Sequence, residues 1–231
     1  MTQIGSLYEI IIVSSVISYK SMTTTLDSKN LTLKDVHRLL KLERRLNNSF
    51  TSLLSLEPLT ESELQELEKI RTNFDNYYSE GKISEGGVKF LFLAPLMWLA
   101  GFYQQNIKIT LEENIAEISI EDEDTSIKGR MDILAVNRTK KETTTPLWIL
   151  VVEAKNSTVE ALEGLPQLLT YTYSSLEHQE SVWGLTTNGL GYRFVYLQQG
   201  TPTYQLLPEL NLIDTDRALH LLQVLKAICK L

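Results

Sequence analysis

Two short apolar runs, separated by a polar segment, constrain the fold of this chain more than any other feature. Residues 129–136 read Gly-Arg-Met-Asp-Ile-Leu-Ala-Val, and residues 148–155 read Trp-Ile-Leu-Val-Val-Glu-Ala-Lys. Apolar runs of this length that are rich in Val and Ile are typical of strands. The segment between them, Asn137 to Pro146, has the composition of a turn. The sequence therefore predicts two strands that can pair as a hairpin.

Charged residues lie at the ends of these strands. Residues two apart on a strand share a face, so Glu153 and Lys155 point the same way and Ala154 turns into the core. In a hairpin, Asp132 would approach Glu153 at one end of the sheet. Carboxylate oxygens suit Mg²⁺, and an adjacent ammonium can orient a water or stabilise an oxyanion. A solvated strand end with a surface ion pair explains the same pattern, which is short and degenerate.

Composition limits the classes of protein to which the chain can belong. Its 231 residues suffice for one large domain, or for one domain with a helical extension. A single cysteine, Cys229, fits a reducing cytoplasm, and three scattered histidines make a zinc enzyme a poor fit. The net charge of −7 argues against a protein that coats nucleic acid with a broad basic surface. It does not exclude a local basic cleft beside an acidic metal site.

The first third of the chain predicts a lead-in followed by helices. Residues 4–19 are apolar but too short and interrupted to span a bilayer, so we expect a strand or a loosely ordered segment there, with Met22 as a candidate biological start. Helical spacing of leucines predicts a helix from Thr32 to about Ser55. Thr60 and Glu63 form a capping box before a second helix that Gly81 ends. The two helices suggest a helical hairpin. Its basic residues are either a solvated face or phosphate contacts: Lys41, Arg44 and Arg45.

The remaining segments alternate between helix and strand. Residues 86–103 predict a buried helix, kinked at Pro95 and ended by Gly101. Period-two alternation predicts a hairpin that turns at residues 112–114, followed by an acidic loop at residues 121–124 that is either solvated or metal-binding. Further predictions follow in chain order: a helix over 159–177 with a restart at Pro166, strands over 181–187 and 192–197 around the turn 188–191, an edge strand over 203–207, and a final helix from Asp214.

These elements and motifs occur in the order found in a known superfamily. The chain resembles the PD-(D/E)XK, or restriction-endonuclease-like, nucleases, and is most similar to the N-terminal nuclease domain of type I restriction enzyme R subunits and its stand-alone relatives. The motifs lie between residues 84 and 197, about half the chain. They are Glu85 with Pro95 and Gly101, Gly129-Arg130-Met131-Asp132, Val152-Glu153-Ala154-Lys155, Gln167 with Tyr171, and Gly184-Leu185-Thr186-Thr187-Asn188-Gly189 before an aromatic strand. Met131 departs from the proline that often precedes the aspartate.

The resemblance implies a role for each matched residue. Asp132 and Glu153 would bind Mg²⁺, for which Mn²⁺ can substitute, and Lys155 would act on the attacking water. Glu85 would complete the metal site or orient a ligand. Gln167 and Tyr171 share a helix face and would position these groups or contact the DNA backbone; packing of the helix explains their spacing equally well.

The resulting expectation is an α/β protein with a restriction-endonuclease-like mixed β-sheet flanked by helices and an N-terminal helical hairpin extension. Residues 1–80 would form the lead-in and extension, and residues 81–231 the nuclease domain. We expect a cytoplasmic Mg²⁺-dependent endonuclease of the restriction or repair type, which acts on DNA or another nucleic acid and has no membrane segment. It would be either a homodimer or a partner of a separate specificity or motor subunit. The alternative is a non-catalytic or partner-dependent nucleic-acid-binding module that retains the nuclease fold.

Overall fold

The computed structural model describes residues 24–115, 117–120, 123–138 and 147–231. Its strands, in chain order, are β1 (Thr24–Asp27), β2 (Glu43–Leu46), β3 (Ile107–Asn114), β4 (Ile118–Ile120), β5 (Thr125–Lys128), β6 (Arg130–Asn137), β7 (Leu147–Ala154), β8 (Ser181–Thr187), β9 (Gly191–Gln198), β10 (Thr203–Leu206) and β11 (Leu210–Asn211). Its α-helices are α1 (Leu33–Leu39), α2 (Glu61–Glu80), α3 (Glu85–Gly87), α4 (Ala94–Ala100), α5 (Leu165–Ser175) and α6 (Thr215–Cys229). The predictions for residues 4–19, for Met22 and for most of the loop before Pro146 lie outside the described residues.

A large mixed sheet organises the described chain. Its strand order is β2-β10-β9-β8-β7-β6-β3, and β11 pairs with β9. β6 and β7 are antiparallel, as the predicted hairpin requires, whereas β7 and β8 are parallel. Parallel neighbours need a crossover connection, and α5 supplies it. A second, small sheet has the order β1-β5-β4. The predicted mixed α/β architecture, a mixed sheet flanked by helices, is confirmed.

Helices cover both faces of the large sheet, and alternate strand residues supply two cores. One core contains Ile133 and Val152 and is closed by α2, α4 and α6. The other contains Leu134 and Val151 and is closed by α1 and α5. This alternation explains the near-continuous apolar runs of β6 and β7, because strands that are buried on both faces need apolar residues at successive positions.

The prediction of an N-terminal helical hairpin is wrong. α1 ends at Leu39, because Lys41 adopts a left-handed backbone conformation (φ 53°) and the next residues form β2, which pairs in parallel with β10. Tertiary strand pairing therefore overrides the helical spacing of the leucines. The second helix is confirmed as α2, with its capping box at Thr60 and its end at Gly81. The division of the chain at residue 80 stays a prediction. β2 belongs to the large sheet, and α2 packs into the core that contains Ile133 and Val152.

The apolar helix over residues 86–103 is interrupted and only partly buried. α3 and α4 flank a π-helical segment, Val88–Leu93, in which the Ala94 amide donates to the Lys89 carbonyl, five residues back. The irregularity therefore lies just before Pro95, which occupies the first turn of α4, and Gly101 ends α4 with a left-handed φ of 99° as predicted. Phe90 and Trp98 are 77% and 63% exposed, so the helix is not buried on all sides.

Two strand predictions are corrected. The hairpin turn at residues 112–114 is wrong, because β3 continues to Asn114 along β6 and residues 118–120 pair with β5 instead. The strand over 203–207 is β10, but β2 covers its outer side, so it is not an edge. The predicted strands β8 and β9 and their turn are confirmed, as is the final helix that Asp214 caps. The 159–177 segment is shorter than predicted: it is a 3₁₀ turn followed by α5.

Within the residues described, no helix has both the length and the apolar character that crossing a membrane requires.

Candidate active site

The pairing of β6 with β7 brings the two predicted carboxylates together. Ile133 pairs with Val152, so the next positions along this antiparallel register are Asp132 and Glu153. The Ala154 backbone amide donates a 2.7 Å hydrogen bond to Oδ2 of Asp132, which fixes that carboxylate against the end of β7. The predicted approach of Asp132 to Glu153 is therefore present.

Glu153 is an unusual carboxylate because it is only 3% exposed. Its Oε1 accepts a 2.7 Å hydrogen bond from Nζ of Lys155, whereas its buried Oε2 has no hydrogen-bond partner among the described residues. Burial, reinforced by the nearby charge of Asp132, raises the pKa of Glu153 to about 7. A buried, unsatisfied carboxylate oxygen costs free energy unless a proton or a cation satisfies it.

A chain of hydrogen bonds runs from Lys155 into the protein. Nζ of Lys155 donates to Oε1 of Gln167 at 2.6 Å, and the Gln167 amide donates to the Tyr171 hydroxyl at 3.2 Å. That hydroxyl also shares a 3.1 Å hydrogen bond with Oγ of Ser28. Tyr171 is fully buried, and burial raises its pKa. The chain fixes the orientation of the Gln167 amide and so holds the Lys155 ammonium beside Glu153.

Two glycines make this close packing possible. A Cβ atom at Gly129 would lie 2.3 Å from Oγ of Ser28 and 2.6 Å from a ring carbon of Tyr171. A Cβ atom at Gly164 would lie 2.4 Å from the Thr186 hydroxyl oxygen and 3.0 Å from a side-chain carbon of Glu153. Separations below 3.0 Å force neighbouring atoms to move, so a larger residue at either position would displace the site.

Glu85 reaches the site through a lysine that the sequence analysis missed. Ile83 and Ser157 are joined by two hydrogen bonds, which place the start of α3 beside the segment after β7. Nζ of Lys89 donates to Glu85 at 3.1 Å and to Oδ1 of Asp132 at 2.9 Å, so one ammonium bridges both carboxylates. Burial lowers the pKa of Lys89, but its hydrogen bonds and its charge pairing with the two carboxylates outweigh burial and raise it. The spacing of four residues between Glu85 and Lys89 was a signal for this pair.

These side chains surround a polar cavity of about 320 Å³, here called the carboxylate cavity. Its lining includes five of the six predicted site residues and three residues that the sequence analysis did not identify: Glu85, Asp132, Glu153, Lys155 and Gln167, together with Lys29, Glu112 and Arg130. Tyr171 lies outside the lining. Glu112 has a left-handed φ of 54°, lies between the pairs Leu111–Ile133 and Glu113–Met131 of the β3–β6 ladder, and binds Arg130 at 3.1 Å. The position of Arg130, two residues before Asp132, could have indicated that Arg130 belongs to the site. The pairing of β3 with β6, which brings Glu112 there, had no comparable signal.

Asp132 and Glu153 are the side chains best suited to hold a metal ion. Oε2 of Glu153 has no hydrogen-bond partner among the described residues, and Asp132 lies near enough for its charge to raise the pKa of Glu153; two neighbouring carboxylates are the donor set of a hard cation. Across the described ranges, no three His, Cys, Asp or Glu side chains form a metal-binding group. Mg²⁺ often takes only one or two carboxylates and keeps several waters, so two carboxylates fit it. Glu85 lines the same cavity and accepts a hydrogen bond from Lys89; its part in the metal site stays a prediction.

Comparison with known proteins adds little to this geometry. No family model matches the chain, and no curated protein matches it. A solved structure described as a fragment of an HsdR subunit of a type I restriction enzyme, from Vibrio vulnificus YJ016, is similar to 61% of this chain, with 20% sequence identity and a TM-score of 0.36. The match covers 25% of that protein's chain. This TM-score is too low for the likeness to indicate a shared function.

Proposed function

We propose that this protein is a metal-dependent nuclease that hydrolyses phosphodiester bonds in DNA with Mg²⁺ or Mn²⁺. The observation that carries the proposal is the grouping of Asp132, Glu153 and Lys155 around one cavity, where a buried oxygen of Glu153 has no hydrogen-bond partner in the part of the chain that the structure describes. A protein that used this sheet end only for packing would have no need of such a costly group.

Asp132 and Glu153 would hold the metal ion from adjacent strands. When bound, the metal ion acidifies a coordinated water and neutralises charge on the scissile phosphate. The Ala154 amide orients Asp132 through its Oδ2 atom, and Oε2 of Glu153, which accepts no hydrogen bond from the described residues, would be available to the metal ion. Both carboxylates belong to neighbouring strands that pair along the sheet, which fixes their backbone positions, and the Lys89 ammonium would have to leave Oδ1 of Asp132 for a metal ion to bind that atom.

Lys155 is the proposed catalytic lysine. Its ammonium lies within 2.7 Å of Glu153 and 2.6 Å of Gln167, so it is held beside the metal ligands instead of extending into solvent. From there it can orient the attacking water or stabilise negative charge on the phosphate oxygens. Gln167 and Tyr171 position Lys155. Glu85 orients Lys89 toward Asp132, and it remains a candidate ligand if that ammonium moves away.

A non-catalytic or partner-dependent nucleic-acid-binding module is the second candidate. The net charge of −7 favours it, because an acidic chain gains little affinity for DNA from nonspecific charge. Lys89 also favours this second candidate, because its ammonium donates a hydrogen bond to Oδ1 of Asp132, an atom that a metal ion would need.

DNA cleavage separates these candidates. Purified protein is incubated with supercoiled and linear DNA in Mg²⁺, in Mn²⁺ and in EDTA, beside Asp132→Asn and Lys155→Ala. Lys69→Ala serves as the control, because Lys69 is an exposed lysine paired with Glu66 on α2. We expect metal-dependent nicking by the native protein and by the control, and a loss of at least a hundredfold in both site variants. The module is the correct assignment if the folded native protein cuts neither substrate.

A further inference from the structure

An apolar pocket adjoins the carboxylate cavity on the side of α3 and α4. It has a volume of about 300 Å³, within the range of small-molecule sites. Its apolar lining includes Phe90, Ala94, Met97, Tyr103, Ile109, Leu111 and Ile133. Phe90, Tyr103 and Leu111 are 77%, 54% and 64% exposed. Large side chains that remain this exposed around one concavity indicate a surface that binds something.

The pocket and the carboxylate cavity share a wall. Asp132 and Glu112 line both, and Lys89, which donates to Asp132, lines the apolar pocket. A group bound at the carboxylate cavity would therefore have its neighbouring chemical unit at the mouth of the pocket. If the bound group is a phosphate of a DNA strand, as the proposed function requires, that neighbouring unit is a nucleoside.

The pocket has the chemistry that a nucleobase needs. Phe90 and Tyr103 supply ring faces and Leu111 supplies aliphatic surface, and aromatic stacking accepts any base because every base has a π-face. A carboxylate at the rim, Glu112, can accept hydrogen bonds from exocyclic amino groups. A base in a duplex has both faces covered by its neighbours, so only an unpaired or extruded base can enter.

We propose that this pocket, formed by Phe90, Tyr103 and Leu111 beside Asp132, binds the unpaired base next to the phosphate at the carboxylate cavity. The inference rests on the proposed function and extends it to a substrate class: single-stranded DNA, or a frayed or flapped junction. Duplex DNA without an unpaired base is the poorer ligand. The acidic net charge agrees with this, because base stacking supplies affinity that backbone charge does not.

Binding measurements test the proposal separately from cleavage. Fluorescence anisotropy in Ca²⁺ compares three labelled probes: a single strand of about 15 nucleotides, the same strand in a duplex, and the same strand with its bases replaced by abasic sites. Phe90→Ala is compared with Trp98→Ala, which removes another exposed aromatic ring on the neighbouring helix but does not line the pocket. Both side chains are largely exposed, so both variants should fold.

We expect the native protein to bind the single strand about tenfold more tightly than the duplex or the abasic strand, as the loss of one or two stacked bases would give. Phe90→Ala should remove most of this preference, whereas Trp98→Ala should retain it. Equal binding of the three probes, or an equal effect of the two variants, overturns the base pocket. A protein that cuts DNA without a single-strand preference overturns this inference alone. A protein that prefers the single strand but never cuts it overturns only the hydrolytic function.

Discussion

Replacing Glu153 with glutamine should stabilise this protein at neutral and higher pH. The carboxyl is buried beside Asp132, and its pKa rises from 4.5 to about 7 on folding. The folded protein therefore holds this proton more tightly than the unfolded chain. The stabilisation by the protonated group is fully present below pH 4.5 and is lost as pH rises through about 7. Glutamine has a similar shape and stays neutral, so it avoids that loss.

The size of the effect follows from the pKa shift. At about 1.4 kcal/mol per pKa unit, the rise corresponds to about 3 kcal/mol in the free energy of unfolding. Urea unfolding of the native protein and of Glu153→Gln, in EDTA at about pH 5 and about pH 8, measures it. Relative to the native protein, the free energy of unfolding of the variant should rise by about 2.5 kcal/mol between the two conditions, because the carboxyl of the unfolded chain is already largely ionised at about pH 5. Comparing the two proteins at each pH removes the contributions of all other titrating groups.

A control and a metal titration complete this experiment. Glu66→Gln removes an exposed carboxylate of α2 and so controls for the loss of one negative charge. The difference in free energy of unfolding between this variant and the native protein should be the same at both pH values. Mg²⁺ at about a hundred times its dissociation constant should stabilise the native protein by about 2.7 kcal/mol and leave Glu153→Gln nearly unaffected. The reasoning is refuted if the difference in free energy of unfolding between Glu153→Gln and the native protein is the same at both pH values. That result would mean that Lys155 keeps Glu153 charged at little cost.

Two further predictions concern the surroundings of the carboxylates. Lys89→Met removes the ammonium that bridges two carboxylates, so Mg²⁺ binding measured by calorimetry should become roughly tenfold tighter because a competing positive charge is gone; weaker binding would mean that the lysine organises the site for the metal. Gly129→Ala should lower the free energy of unfolding in urea by about 2 kcal/mol, because the added methyl group overlaps two side chains. Gly86→Ala is its control, since a Cβ there meets nothing within 4 Å, and equal stability of the two variants would contradict the packing described around Gly129.

The sequence predicted those parts of the fold that depend on local signals. Short runs rich in Val and Ile were sufficient for β6 and β7, and a capping box at Thr60 located the start of α2. The juxtaposition of Asp132 and Glu153 also followed, because two-residue alternation fixes faces once two strands pair as a hairpin. For the same reason, Gln167 and Tyr171 could be placed on one helix face, where they form a hydrogen bond.

The errors have nonlocal causes. Leucines at helical spacing suggested a helix through residues 43–46, but those residues pair with β10, which lies about 160 positions further along the chain in the register Glu43 to Thr203. The polar residues after Leu111 resembled a turn because β3 lies at an edge of the sheet, where polar side chains remain exposed. The hydrogen bond from Lys89 to Asp132 joins the π-helical segment to a strand 43 residues further along the chain, and no local pattern specifies that contact.

The arrangement of the outer strands also bears on the behaviour of the protein at high concentration. Edge strands present unpaired backbone groups that can recruit another chain and start aggregation. Within the described sheet, β2 forms one edge with only four residues, of which Glu43, Arg44 and Arg45 are exposed and charged. β3 forms the other edge and carries the left-handed Glu112, which interrupts a regular pairing surface. Both ends of the sheet therefore resist the addition of a strand from a second molecule, which protects the protein from edge-to-edge association as it folds in a crowded solution.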